Sequence, residues 1–110
     1  MVAFIEVDED NFERELGKAF EQKHTVIIKF GSEYCDPCHA LECELEELDE
    51  MLKNLTILMV DTNEAPALTE QFDVYQLPTM LIYKERERTL YHGAGVILAS
   101  DIQKLIEKAD

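Results

Sequence analysis

Apolar positions recur along this chain in two alternating rhythms. Phe4-Ile5-Glu6-Val7 is a short apolar run that reads as a strand. Asp8 and Asp10 then offer N-caps, and Phe12, Leu16, Ala19 and Phe20 return at helical spacing. Val26 to Phe30 is β-branched and apolar except for Lys29, the pattern of a buried strand. Ala40 to Leu52 carries Leu41, Leu45, Leu48 and Leu52 on one helical face. Leu55 to Val60 repeats the strand pattern. Ala65 to Phe72 suits a short helix with Pro66 in its first turn. Thr79 to Tyr83 predicts a further strand, paired with Thr89 to His92 across the charged segment Lys84 to Arg88. Ser100 is placed to cap a last helix with Ile102, Leu105, Ile106 and Ala109 inward. The predicted order is βαβαβαββα. Strands alternating with helices imply an α/β fold, a central sheet covered on both faces.

Length and charge narrow the classes. A chain of 110 residues supports one core, so residues 1–110 are read as a single domain. Asp and Glu total 24 against 10 Lys and Arg, a net charge of −14. Nucleic-acid affinity rests on Lys and Arg displacing counterions, and attraction to anionic lipid needs the same residues. Neither a nucleic acid nor a membrane is therefore an expected partner. No apolar stretch approaches a membrane span, and the acidic start does not resemble a secretory leader, so a cytoplasmic location is expected. Three cysteines cannot form a closed disulfide framework, and in a reducing compartment they are catalytic, metal-binding or inert.

The chemical signal is Cys35-Asp36-Pro37-Cys38, at the junction of the Val26–Phe30 strand and the next helix. Two intervening residues let two sulfurs meet across a first helical turn. The helix N-terminus aims unpaired N–H groups and positive potential at the first sulfur, favouring its thiolate. Thiolate is the nucleophile of disulfide exchange, which suits Cys35 as the attacking sulfur and Cys38 as the resolving one. Pro37 fits a first turn because its missing donor would be unpaired there.

Phe30-Gly31-Ser32-Glu33-Tyr34-Cys35-Asp36-Pro37-Cys38 resembles the active-site stretch of the thioredoxin family. Val74-Tyr75-Gln76-Leu77-Pro78-Thr79 resembles that family's second signature, which ends in a cis-proline. Val60-Asp61-Thr62-Asn63 matches the strand end and loop between them, and Gly93-Ala94 a small-residue pair lining the family's binding groove. The resemblance runs through nearly the whole chain in the right order. It implies a thioredoxin-like fold with a mixed sheet of four or five strands. It also implies a protein-disulfide reductase acting through a reversible Cys35–Cys38 pair, with no bound cofactor and no metal. Implied partners are disulfide-containing proteins and a thioredoxin-reductase-type electron donor, met by a monomer. By the same resemblance, Tyr34, Asp36, Pro37, Gln76, Leu77, Pro78, His92, Gly93 and Ala94 would bind substrate, Leu77 through its backbone.

Other readings share these residues. Cys35 to His39 also spells C-x-x-C-H, a haem-attachment pattern, and Cys35, Cys38, His39 and Cys43 could begin a zinc site. His24 and His92 are isolated, and no second CxxC supplies the distant ligand pair that zinc needs. Cys43 falls roughly 180° from the leucine stripe and roughly 12 Å along the helix from Cys35, too far for a disulfide, which makes it a spare thiol. An oxidising or isomerising relative, and a non-catalytic or redox-sensing module, would use the same groove.

Several positions depart from the family. Lys29 stands where thioredoxins usually carry a buried Asp, and Ile57 where that Asp has its lysine partner. A buried Lys is costly unless paired. Glu42, one turn after Cys38, is the expected partner, and the two are candidate modulators of Cys38. Tyr34 replaces a Trp. Asp36 sets a negative charge beside the thiolate. Cys43 replaces a helix-kinking proline. Gln76 and His92 make the groove more polar. The acidic run from Glu42 to Glu50 is the solvated face of a helix.

Overall fold

The computed structural model describes residues 4–109. Its elements are β1 (Phe4–Val7), α1 (Phe12–Glu21), β2 (Thr25–Gly31), α2 (Asp36–Met51), β3 (Leu55–Asp61), α3 (Pro66–Gln71), β4 (Thr79–Glu85), β5 (Arg88–Ala94) and α4 (Ala99–Lys108). They follow the βαβαβαββα order. The sheet has five strands in the order β1-β3-β2-β4-β5. β1, β3 and β2 run parallel, and β4 and β5 are antiparallel. Two parallel crossovers followed by a hairpin make the sheet mixed. Glu85 pairs with Arg88, so the charged segment becomes a two-residue turn at Arg86 and Glu87.

All seven residues of β2 are buried. The strand period of two divides them between two cores. Val26, Ile28 and Phe30 join α1, α3, Leu58, Val60 and Leu81 on one face. Ile27 joins α2, α4, Ile57, Met80 and Ile82 on the other. Lys29 shares the parity of Ile27 and so points toward α2. Leu41, Leu45 and Leu48 carry the burial of α2. Leu52, expected in that stripe, is instead the half-buried C-cap residue.

The caps differ from expectation in an instructive way. Asn11, not Asp10, is the N-cap of α1, and its side chain does not cap the helix; it accepts from Asp8 N at 2.7 Å. Asp8 Oδ1 accepts from Asp10 N and Asn11 N, which orders the turn one step earlier. Ser100 lies inside α4 and Leu98 is the N-cap residue. The first-turn donor Ala99 N instead meets Glu44 Oε1 of α2 at 2.9 Å. A tertiary carboxylate thus replaces a local hydroxyl at a helix start, where negative charge is favoured.

Charge is divided along the strands. Lys23, Lys53 and Lys84 line one hollow with Glu107 where β2 and β3 begin and β4 ends, and Arg86 and Arg88 alternate with Glu85 and Glu87 at the β4–β5 turn. The opposite end, where β1, β2 and β3 finish, carries Asp8, Glu9, Glu33, Asp36, Asp61 and Glu64. Among the described residues no helix is long and apolar enough to cross a membrane.

Two outcomes follow for stability. Glu44→Ala removes the cap of α4 and should lower unfolding free energy by about 1 kcal/mol in urea titration. Burial raises the phenol of Tyr83 on β4 above its ordinary value, against a smaller lowering by its bond to Thr89. The folded state therefore prefers the neutral phenol, and stability should fall as pH rises from 10.0 through the raised value. Tyr83→Phe should flatten that alkaline slope in thermal melts.

Candidate active site

The central strand delivers the cysteines. β2 ends at Gly31, and Ser32 to Tyr34 turn the chain into α2. Cys35 is the N-cap residue of α2, in extended conformation, and its Sγ accepts from Cys38 N at 3.2 Å. Pro37 occupies the first turn, where its missing donor costs nothing. Cys35 and Cys38 are joined by a disulfide with Cα atoms 5.2 Å apart. Cys38 has no exposed surface, whereas Cys35 is partly exposed. The pair is therefore lopsided, with one sulfur at the surface and one sealed beneath the helix.

The second signature arrives at the same end of the sheet. Phe30 is the register partner of Thr79, so the loop after β2 and the loop before β4 emerge side by side. The Leu77–Pro78 bond is cis, and Pro78 is buried. Both carbonyls flanking Leu77 are engaged. Gln76 O accepts from Thr79 Oγ1 at 2.6 Å, and Pro78 O accepts from Gly95 N at 2.9 Å. Thr79 pairs with Ala94 and Met80 with Gly93, which brings the end of β5 alongside. An open groove of about 440 Å³ results, lined by Asp73, Tyr75, Gln76, Thr79, His92, Gly93 and Ala94. Gln76, His92, Gly93 and Ala94 were expected there. Asp73, Tyr75 and Thr79 were not assigned, although Tyr75 and Thr79 lay within the quoted motif. Gly93 has a local reason: a Cβ there would sit 2.5 Å from the Tyr91 hydroxyl. Tyr34 stands 91% exposed and Tyr75 87% exposed, two aromatic side chains in open solvent near the cysteine end. Asp36 and Pro37 are exposed beside Cys35.

A second cavity, about 340 Å³, lies on the α2 side, lined in part by Lys29, Gly31, His39 and Glu42. Lys29 is 5% exposed, and its Nζ lies 3.5 Å from Glu42 Oε2. His39 Nδ1 lies 3.7 Å from the same carboxylate oxygen, and its Nε2 is 2.9 Å from Glu33 O. The expected Lys29–Glu42 pair is present. Gly31 was not singled out by the sequence. A methyl placed on it would lie 3.0 Å from Lys29 Nζ and 3.2 Å from Cys38 Sγ. Only glycine leaves that gap between the ammonium and the sulfur. Cys43 is exposed and unbonded, as the helical geometry requires. Among the described residues no three His, Cys, Asp or Glu side chains are grouped so as to hold a metal ion. His24 bonds Thr56 Oγ1 at 2.9 Å, far along the sheet from the cysteines.

The family model Thioredoxin matches residues 3–108. This chain belongs to the thioredoxin family. It is 35% identical to a thioredoxin of Chlamydia trachomatis serovar D over 83 residues, 76% of this chain and 80% of that one. Its fold matches a crystal structure of chloroplastic thioredoxin z with a TM-score of 0.84 at 22% identity, covering 98% of this chain and 95% of that one. It also matches the thioredoxin fold in a complex of ferredoxin:thioredoxin reductase with thioredoxin f2, with a TM-score of 0.80 at 22% identity, covering 96% and 94%. Thioredoxin membership together with a bonded Cys35–Cys38 pair makes the protein a thiol–disulfide oxidoreductase.

The thiol inventory is directly measurable. Alkylation of the oxidised native protein should label Cys43 alone, and prior reduction should add Cys35 before Cys38. Mass spectrometry of the peptides reads the order; labelling of Cys38 ahead of Cys35 would contradict the burial described.

Proposed function

We propose that this protein reduces disulfides in client proteins, with Cys35 attacking and Cys38 resolving. The observation that carries the reading is the exposure difference within the bonded pair. A client sulfur can approach Cys35 from solvent and cannot approach Cys38. In the reduced protein, the Cys35 thiolate attacks one client sulfur, and the other client sulfur leaves with its electron pair and takes a proton. The mixed disulfide is then attacked by Cys38. The Cys35–Cys38 bond forms, the second client sulfur leaves reduced, and the two electrons have passed from the protein to the client.

The groove supplies the client's seat. Leu77 offers backbone to an extended client segment, held in place by the engaged carbonyls on either side. Tyr34, Asp36, Pro37, Gln76, Pro78, His92, Gly93 and Ala94 complete that surface, and Lys29 and Glu42 modulate Cys38 from below. A thioredoxin-reductase-type donor returns the electrons. The solved complex of ferredoxin:thioredoxin reductase with thioredoxin f2, a protein of the same fold, supports a donor of this kind. The protein acts as a monomer in the cytoplasm, a reducing setting in which the exposed thiol of Cys43 persists.

Cys38→Ser should stall exchange as a covalent complex through Cys35 that dithiothreitol releases, while Cys35→Ser should give no complex and only background insulin reduction. Non-reducing electrophoresis and insulin turbidity read both. Equal trapping by the two variants would remove the assignment of roles.

A further inference from the structure

Resolution demands an anion from a sulfur that is buried in the disulfide form. Cys38 has no exposed surface, and burial in apolar surroundings disfavours a thiolate. The end of β2 packs against it, where a Cβ on Gly31 would sit 3.2 Å from both Cys38 Cβ and Cys38 Sγ. Across Gly31 stands the ammonium of Lys29. The same point in space is 3.0 Å from Lys29 Nζ and 3.2 Å from Cys38 Sγ. The two atoms are thus no farther apart than those distances laid end to end, a range in which opposite charge favours the ionised form.

The other titratable groups lining the cavity are Glu6 from β1, Asp61 and Glu64 at and beyond the end of β3, Glu33 from the turn, and His39 and Glu42 from α2. Five are carboxylates, which oppose a thiolate. Lys29 is the one Lys or Arg among the residues lining it. Its position is fixed from both ends. Strand parity holds its stem toward α2 between Met59 and Met80, its register partners, and Glu42 Oε2 holds its head at 3.5 Å.

We propose that Lys29 is the electrostatic partner of Cys38, stabilising negative charge on the resolving sulfur in the reduced protein, with Glu42 as its positioning residue. This rests on the roles assigned above to Cys35 and Cys38. When the reduced Cys38 gives up its proton to solvent, the thiolate attacks Cys35 Sγ of the mixed disulfide. The Cys35–Cys38 bond forms and the client sulfur leaves with the electron pair. Stabilising the Cys38 thiolate also stabilises the reduced pair over the disulfide, so the cation makes the protein a weaker reductant. Glu42, by neutralising part of that charge, works in the opposite direction.

The test uses reduced protein in a Cys43→Ser background, mixed with excess Ellman's reagent in stopped flow. Thionitrobenzoate is released first as Cys35 attacks and again as Cys38 closes the disulfide. Lys29→Met should raise the pH midpoint of the second phase by about one pH unit and leave the first phase in place. In dithiothreitol buffers at a pH above both midpoints it should favour the disulfide about tenfold, a potential about 30 mV lower for a two-electron couple. Glu42→Gln should move both readings the other way, and Lys29→Arg should stay near wild type. A merely structural lysine would move melting temperature without these opposed shifts. If Lys29→Met does not fold, Lys29→Gln carries the same expectation. A second phase and potential unchanged in the neutral variant, or shifted in the same sense in both variants, overturns the proposal. Absence of any second phase in the Cys43→Ser background protein would instead overturn the resolving role of Cys38.

Discussion

The structure depends on β2 being sealed on every side. It lies between β3 and β4 in the sheet, and helices cover both of its faces. A strand buried this way has no freedom of register, because a slip by one residue would exchange its two faces. Everything that follows Gly31 inherits that precision. The turn delivers Cys35 to the N-cap of α2, the α2 leucines clamp the helix to the sheet, and Cys38 is left under the first turn. The same burial decides the fate of Lys29. Its neighbours on the strand are apolar, its parity directs it under α2, and Glu42 is the carboxylate within reach.

The sequence was most legible where periodicity and burial coincide. All nine elements were readable because β2 and β3 are apolar runs and α1, α2 and α4 carry clear stripes. The redox pair was legible because Cys35-Asp36-Pro37-Cys38 follows a buried strand and Leu77-Pro78-Thr79 opens another further along the chain. Lys29 announced itself as a charge inside an apolar strand, and the spacing along α2 pointed to Glu42. What escaped was set by distant packing. Ser100 has the right chemistry for a cap, yet Glu44, 55 residues from Ala99, fills that place. Gly31 looks like any loop glycine until Lys29 and Cys38 close around it. Asp73 joins the groove only because β5 returns beside the loop before β4.

The two cavities share no lining residue. The groove beside the loop that carries Pro78 is open to solvent. The hollow by Lys29 lies behind the sulfurs, on the α2 side, and faces none of the groove residues. In the proposed mechanism one side would set which chain is met, and the other the energy of the resolving sulfur. Changes in partner preference and changes in redox character can accordingly arise at separate residues.

The uneven placement of charge has a consequence at long range. Where β2 and β3 begin, lysines and arginines alternate with Glu85, Glu87 and Glu107, whereas carboxylates predominate where they finish, so negative potential is concentrated at the cysteine end. Such a field would draw a basic partner toward the cysteine end before contact, an attraction that fades once added salt brings the screening length down to about 10 Å.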